Sequence, residues 1–432
     1  MRICVLEQEV KPTGTQPTPH DVLQKTLSLY EKSSKYAYQH GCSLLVGPEL
    51  GVYTGLTARQ KLRVAEPLPR LGHEPSGEGQ RVLCSLARAA QTYGLYLVCS
   101  VVERDDAFYN TTVVLDPQGK LVARHRKVHM YLESGLTPSR EKPSLVPIAG
   151  LGRVQLITCF DVFFAEANRV ASDFAILVSH WYDEIPNLSV LSMARAWSIR
   201  NATPIVVCNA RCVREGTLGA GLLFPDGRGQ YSMSFGQDRS AVHVFDSEAK
   251  PPDLVRNPRD VTVPDFVYQP IIADLARFRQ MPLARRSGTL QIDLETISCQ
   301  LAYELEYQSV DTLYVLLATD GTRRFGNGDR LYLQEVYVVA IDSATHSLTL
   351  RSGPPFRTLR ISLGVNGDPP DKAVFPIIVG DNFSLVDADH WQFDPDLATI
   401  CTKDVGFACV GMFRRLFSKD KPVIHRKRRH SI

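Results

Sequence analysis

Short apolar runs alternate with amphipathic stretches along the first 245 residues. Residues 3–6 and 44–46 are compact and apolar, and the spacing of apolar positions over 22–38 predicts a helix between them. Residues 79–93 read as a second helix, with Val82, Leu83, Leu86, Ala89 and Ala90 at helical spacing. Residues 95–102 predict a buried strand, and 111–115 with 121–124 predict a hairpin around Pro117-Gln118-Gly119. Residues 154–157 form an apolar, β-favouring run behind Gly150 and Gly152, and a helix is expected to start over 165–170. Strands at 174–178 and 204–208 flank a helix expected over 188–200. Alternation of this kind predicts an α/β unit whose sheets are covered by helices.

The pattern changes twice further on. Residues 246–286 carry scattered prolines and no sustained period, and read as a packed connector. Beyond residue 288, stretches 289–294, 313–317, 331–339 and 357–363 all read as strands, so a separate all-β domain is expected. The predicted organisation is 1–245 for the α/β unit, 246–286 for the connector, 287–415 for the β-rich domain and 416–432 for a basic tail. Two domains suit 432 residues. A formal charge of +3 is too small to point to nucleic acid. No stretch approaches the roughly 20 apolar residues of a membrane span. The run from Arg2 to Leu6 already reads as a core strand rather than as a secretory leader.

Chemistry collects where three of these strands should end. Cys159 follows the run at 154–157, at an expected strand-to-helix turn that would hold a nucleophile rigidly beside backbone N–H donors. An isolated cysteine is more often inert packing, but Glu49 closes the run at 44–46 and Lys127 closes the strand at 121–126. A thiol reacts as thiolate and needs a base or a nearby cation. Glu49 can take the thiol proton and later deliver it to a leaving amine. Lys127 can hold the carboxylate and stabilise an oxyanion.

At these residues the chain resembles the nitrilase superfamily, whose amidases use Glu, Lys and Cys in that order, and in particular its vanin and biotinidase branch. The resemblance rests on the segment from Gly119 to Arg124 with Lys127, and on Thr158-Cys159-Phe160-Asp161 with Val162-Phe163-Phe164. It continues through Trp181, Pro186-Asn187-Leu188-Ser189, Ala196-Trp197 and Gly219-Ala220-Gly221. It implies a four-layer αββα sandwich followed by a smaller all-β domain of the vanin type, which Thr319-Asp320-Gly321 and Leu331-Tyr332-Leu333-Gln334 resemble. It also implies catalysis by Glu49, Lys127 and Cys159 through a thioester, without a cofactor. Glu133 stands near the place of a second acid that positions the triad, with an exposed loop acid as the alternative. Phe160, His180 and Trp181 are candidates for the substrate pocket, and Asp161 for a structural hydrogen-bond acceptor.

The branch offers pantetheine, cleaved to pantothenate and cysteamine, and biotinyl amides as substrates. Pantetheine is preferred here, because no residue can be tied to a biotin ring. A catalytically silent binding protein of the same fold is the competing class. A papain-like pairing of Cys159 with His129 is disfavoured by its chain order. The partner expected is a small amide, with a monomer as the simplest assembly.

Ten cysteines include no metal-ligand spacing. Cys4, Cys42, Cys84, Cys99 and Cys208 read as reduced packing residues. Cys401 with Cys409 is the better candidate pair across adjacent strands, and Cys208 with Cys212 the weaker. Asn110, Asn187, Asn201 and Asn382 begin glycosylation sequons, Asn382 being the best placed. The resemblance implies a secreted protein, and the missing leader argues for a cytoplasmic one. The polar end at 421–432 argues against a lipid anchor.

Overall fold

A computed structural model describes residues 1–11, 18–143, 145–233, 239–249, 254–256, 271–349, 351–365, 372–381 and 384–420. The sequon at Asn382, the basic run at 426–429 and much of the connector lie outside them. The chain divides into two compact units, one of residues 1–273 with 378–390 and one of residues 274–377 with 391–432.

Among the described residues, thirteen strands build the two sheets of the first unit: β1 (Arg2–Glu7), β2 (Cys42–Val46), β3 (Tyr96–Arg104), β4 (Phe108–Leu115), β5 (Leu121–Arg126), β6 (Leu145–Ile148), β7 (Gly152–Thr158), β8 (Phe174–Ser179), β10 (Ile205–Asn209), β11 (Ala220–Leu223), β12 (Gly229–Ser232), β13 (Ala241–Asp246) and β14 (Leu254–Arg256); outside them a two-residue β9 (Glu184–Ile185) pairs with β15 (Ile271–Ile272). One sheet runs β13-β1-β2-β3-β4-β5 and the other β14-β12-β11-β10-β8-β7-β6. Strand β1 shows why both faces of a sheet need cover: Ile3 and Val5 enter one core, Cys4 and Leu6 the other. Such continuously apolar strands are expected of sheets buried on both sides.

The core between the sheets is made by Val46, Val98 and Val114 from one side and Leu156, Ile176, Val206 and Leu222 from the other. The outer face of the first sheet packs under α1 (Pro19–Gln39) and α3 (Arg81–Tyr93), which contribute Val22, Tyr30, Val82 and Leu86. A short α2 (Ala58–Arg63) starts on a capping box of Thr57 and Gln60. Helix α4 (Val190–Asn201) packs on β10 and β11, with Trp197 fully buried. The layers are therefore helix, sheet, sheet, helix, as expected.

One local expectation fails. No α-helix follows β7; two 3₁₀ turns, Cys159–Phe163 and Ala165–Asn168, stand there instead. The buried Asn168 amide donates to the carbonyls of Val162 and Phe164, satisfying groups that a regular helix would have used internally.

The second unit is all β: β16 (Arg279–Pro282), β17 (Ser287–Asp293), β18 (Ile297–Leu305), β19 (Thr312–Arg324), β20 (Arg330–Asp342), β21 (Phe356–Val365), β22 (Lys372–Val379), β23 (Trp391–Asp394), β24 (Thr399–Val405) and β25 (Cys409–Leu416). They form two five-stranded sheets, β16-β19-β20-β25-β22 and β17-β18-β21-β24-β23. Tyr314 and Phe356, one from each sheet, meet with ring centroids 4.6 Å apart. Cys401 and Cys409 lie on β24 and β25, which belong to different sheets, and all ten cysteines are free thiols. The expected pairs are therefore not formed. Among the described residues, no helix is long and apolar enough to cross a membrane.

The inter-sheet core sets a stability test. Ile176 is fully buried there, and Ile176→Ala is expected to cost about 2–5 kcal/mol. Urea unfolding followed by the fluorescence of Trp181 and Trp197, both in the first unit, measures it. A loss under about 0.5 kcal/mol, the range of ordinary surface changes, would contradict this packing.

Candidate active site

Four chain segments leave the sheets at the same end. Strands β2 and β3 are parallel, as are β7 and β8, and β5 returns to the direction of β3 through β4. Glu49 therefore follows β2, Lys127 follows β5, Cys159 follows β7 and His180 follows β8 at one edge of the sandwich. The carboxyl ends of strands are where such sheets gather ligands. All four residues line one cavity of about 620 Å³. The approach of β2 is tight: a Cβ on Gly47 would stand 2.3 Å from the Tyr30 hydroxyl, so only glycine fits two residues before Glu49.

Lys127 is almost wholly buried and donates to Glu49 Oε1 at 2.7 Å and, more closely still, to Glu133. Glu49 Oε1 also accepts from Asn110 Nδ2 at 2.7 Å, and Oε2 accepts from the backbone N–H of His180 at 3.0 Å. Asn110 is fixed in turn by Ser100, whose hydroxyl donates to its Oδ1 at 2.7 Å. Glu133 accepts from the Tyr131 backbone N–H as well. Asp161 lies just beyond, where it accepts from the backbone N–H of Val128 at 3.2 Å and of His129 at 2.7 Å. It pins the chain that carries Lys127, which is the structural role expected of it.

Cys159 occupies a left-handed backbone conformation, φ 47°. A non-glycine residue there is strained and persists only where its surroundings impose it. The Thr158 hydroxyl supplies part of that constraint through a 2.9 Å hydrogen bond to Thr112 of the opposite sheet.

The charge states follow from burial and neighbours. Burial pushes the Glu49 carboxyl up, but the Lys127 charge and the hydrogen bonds it receives, one from the Cys159 thiol, bring it below its usual range. Burial, then the Glu49 charge, push the Cys159 thiol up against the opposing pull of Lys127. Burial works against the Lys127 ammonium, yet Glu49 and Glu133 hold it well above the ordinary lysine range. At neutral pH the three groups are carboxylate, thiol and ammonium.

The sequence candidates divide cleanly. Glu49, Lys127, Cys159, Glu133 and His180 share the cavity; Phe160 and Trp181 do not line it. Phe160 is buried among Tyr131, Phe163 and Phe164, while Trp181 stacks on Phe163 and donates its indole N–H to the Leu188 carbonyl at 2.9 Å. His129 stacks on Phe164 at 3.4 Å and is not a cavity residue, which removes the papain-like pairing. Lining residues that sequence reasoning missed include Gln8, Lys61, Leu132, Tyr182 and Ile271. Of these, only Lys61 had a local signal, the capping box that starts its helix. Asn110 and Asn187 are each 1% exposed, so neither sequon can carry a glycan in the folded chain. Among the described residues, no cluster of metal-ligating side chains occurs.

These features define a class: an αββα hydrolase with a buried acid, a cation and a thiol converging at the sheet ends. The carbon-nitrogen hydrolase family model matches residues 11–237 and the vanin C-terminal domain model residues 271–409. The chain belongs to the carbon-nitrogen hydrolase family, and the nitrilase-superfamily resemblance, with its vanin and biotinidase branch, is borne out. It is 24% identical over 363 residues to a human pantetheine hydrolase, covering 73% of this chain and 68% of that one. It is likewise 24% identical over 467 residues to a dog pantetheinase, covering 97% and 89%. A biotinidase from Takifugu rubripes is 29% identical over 235 residues, covering 47% and 46%. An amidase from Nesterenkonia sp. is a solved structure at TM-score 0.45 and 19% identity, covering 57% of this chain and 89% of that one.

The two carboxylates around Lys127 set a test of the site's electrostatics. Lys127→Met leaves Glu49 buried without its counter-charge, and a loss of about 3–5 kcal/mol at pH 7 is expected. With Lys127 present, the folded Glu49 carboxyl lies below its unfolded value, so its contribution is present above that value and lost as pH falls through the folded one. The deficit of the variant should therefore narrow below about pH 4. Unfolding titrations at both pH values read this, and a deficit independent of pH would contradict the assigned charges.

Proposed function

We propose that this protein is a thiol amidase that hydrolyses a linear carboxamide through a thioester on Cys159. The observation that carries the reading is the Glu49–Lys127 ion pair, buried in the same cavity as the thiol. An ionised carboxylate beside a protonated thiol is the starting state that general-base activation requires.

Glu49 takes the thiol proton as the sulfur attacks the amide carbon, forming the C–S bond and a tetrahedral oxyanion. Lys127 stabilises that charge in surroundings where burial strengthens it. Collapse breaks the C–N bond while Glu49 passes its proton to the departing amine. Water then attacks the thioester, giving its proton to Glu49; the C–S bond breaks and the thiol is restored with the free acid. Glu133 also accepts from Lys127 and acts as a positioning residue.

Pantetheine is the first candidate substrate, giving pantothenate and cysteamine. The names of the relatives support it, and nothing in the cavity calls for a biotin ring. One observation favours biotinyl amides of lysine as a second reading: Lys61 lines the cavity without an ion-paired carboxylate among the described residues, and such amides carry a carboxylate that pantetheine lacks. Secretion is the reading of location that agrees with the vanin and biotinidase relatives.

Purified protein incubated with pantetheine or with biotinyl-lysine is expected to release cysteamine or lysine. Cys159→Ser should reduce turnover to near background in a folded protein, and Glu49→Gln should cost about 10²–10⁴-fold in kcat. Near-normal rates in either variant would overturn the roles of these groups. No amine release from any amide by the unaltered protein would favour the catalytically silent alternative.

A further inference from the structure

Lys61 stands on the last turn of α2 and lines the cavity of Glu49, Lys127 and Cys159. Among the described residues, no side chain makes an ion pair or hydrogen bond with its ammonium. Burial presses its pKa down, and the charges of Glu49 and Glu133 only partly restore it. Both of those carboxylates are already engaged by Lys127. The side chain is half-buried, so the ammonium stands at the cavity wall without a fixed partner of its own. Amide hydrolysis does not explain it, because the oxyanion is already served by Lys127.

His180 faces the same space. Its backbone N–H is fixed on Glu49, its ring stacks on Tyr182 with centroids 5.2 Å apart, and its Nε2 is buried with no hydrogen-bond partner among the described residues. Burial and the positive charges of Lys61 and Lys127 hold the imidazole neutral, with a pKa lowered to about 4. A neutral imidazole keeps one N–H to donate and adds no further charge. The cavity therefore presents an unpaired cation and an unused ring nitrogen beside the reaction centre.

We propose that Lys61 and His180 form a subsite for a carboxylate that the substrate carries apart from its scissile amide, so that the enzyme prefers amides of amino acids to amides of simple amines. A monoanion suits the local balance. Lys61 neutralises one negative charge, whereas a phosphate dianion would leave an excess beside Glu49, Glu133 and Glu215, all of which line the cavity. The aliphatic part of the substrate has Leu132, Tyr182 and Ile271 to lie against. The inference rests on the amidase reading for its substrate class, but the anion site can be tested without turnover.

Two matched pairs isolate the carboxylate. Biotinyl-lysine is compared with the biotinyl amide of 1,5-diaminopentane, and pantothenoyl-cysteine with pantetheine; each pair differs by one carboxylate on the amine half. The carboxylated member is expected to show at least about tenfold higher kcat/KM in one pair or both, the order of one charge-assisted hydrogen bond. Lys61→Met should lower kcat/KM for that member about tenfold more than for its neutral partner, and Lys61→Arg should restore most of the preference. Equal rates within both pairs, or a Lys61→Met variant that slows both members alike, would overturn the subsite.

Calorimetric titration of N-acetylglycine and of inorganic phosphate into the unaltered protein and Lys61→Met gives the second readout. Carboxylate binding weakened about tenfold in the variant supports the subsite even if no amide is hydrolysed, in which case the amidase reading is what fails. Binding that Lys61→Met leaves unchanged, or phosphate bound more tightly than N-acetylglycine, overturns the carboxylate assignment while hydrolysis stands.

Discussion

The buried ammonium of Lys127 is the constraint on which the site depends. Glu49 and Glu133 both accept from it, and each is held by a backbone N–H, of His180 and of Tyr131 respectively. Glu49 could not stay ionised so deep without the cation, and the cation could not stay charged without the two carboxylates. The surrounding backbone is arranged to make that mutual dependence hold. Asn110 accepts the Lys127 backbone N–H at 2.8 Å through its carbonyl and donates its side chain to Glu49, so one residue of β4 fixes both partners. Asp161, two residues after Cys159, holds the next two backbone N–H groups after Lys127. The turns that carry Cys159 and Lys127 are thereby tied together from opposite sheets.

That architecture explains how a thiol in apolar surroundings can be useful. Burial alone would leave Cys159 as inert as Cys99, which packs in the core under α1 and α3 with its own pKa pushed up by desolvation. The difference lies in the neighbours. Cys159 has an ionised carboxylate beside it, which in the proposed mechanism receives its proton, and a strained left-handed backbone. Cys99 has neither.

Much of this was legible in the chain. Strand β2 ends on Glu49, β5 on Lys127 and β7 on Cys159, and each end was marked by an apolar run giving way to polar or turn-forming residues. Alternation of strand and helix predicted sheets covered by helices, and the nitrilase resemblance supplied the four-layer order. What escaped was set by contacts distant in sequence. Asn110 read as a sequon, since nothing local shows that its amide turns inward to Glu49. Trp181 read as a pocket wall, yet its indole finds the Leu188 carbonyl and the Phe163 ring instead. The region around Ile271 lacked any period, and only pairing with Glu184–Ile185 brings it to the cavity. A strand of two residues is too short for periodicity to reveal.

The most direct test of the account is to catch the covalent intermediate. Rapid acid quenching of the enzyme during turnover of pantetheine or biotinyl-lysine, followed by digestion and mass spectrometry, should find the acyl half of the substrate on the peptide containing Cys159. The label should be sensitive to hydroxylamine, as a thioester is, and absent from Cys159→Ala. An acyl group on any other residue, or steady hydrolysis in Cys159→Ala, would contradict nucleophilic catalysis by this thiol.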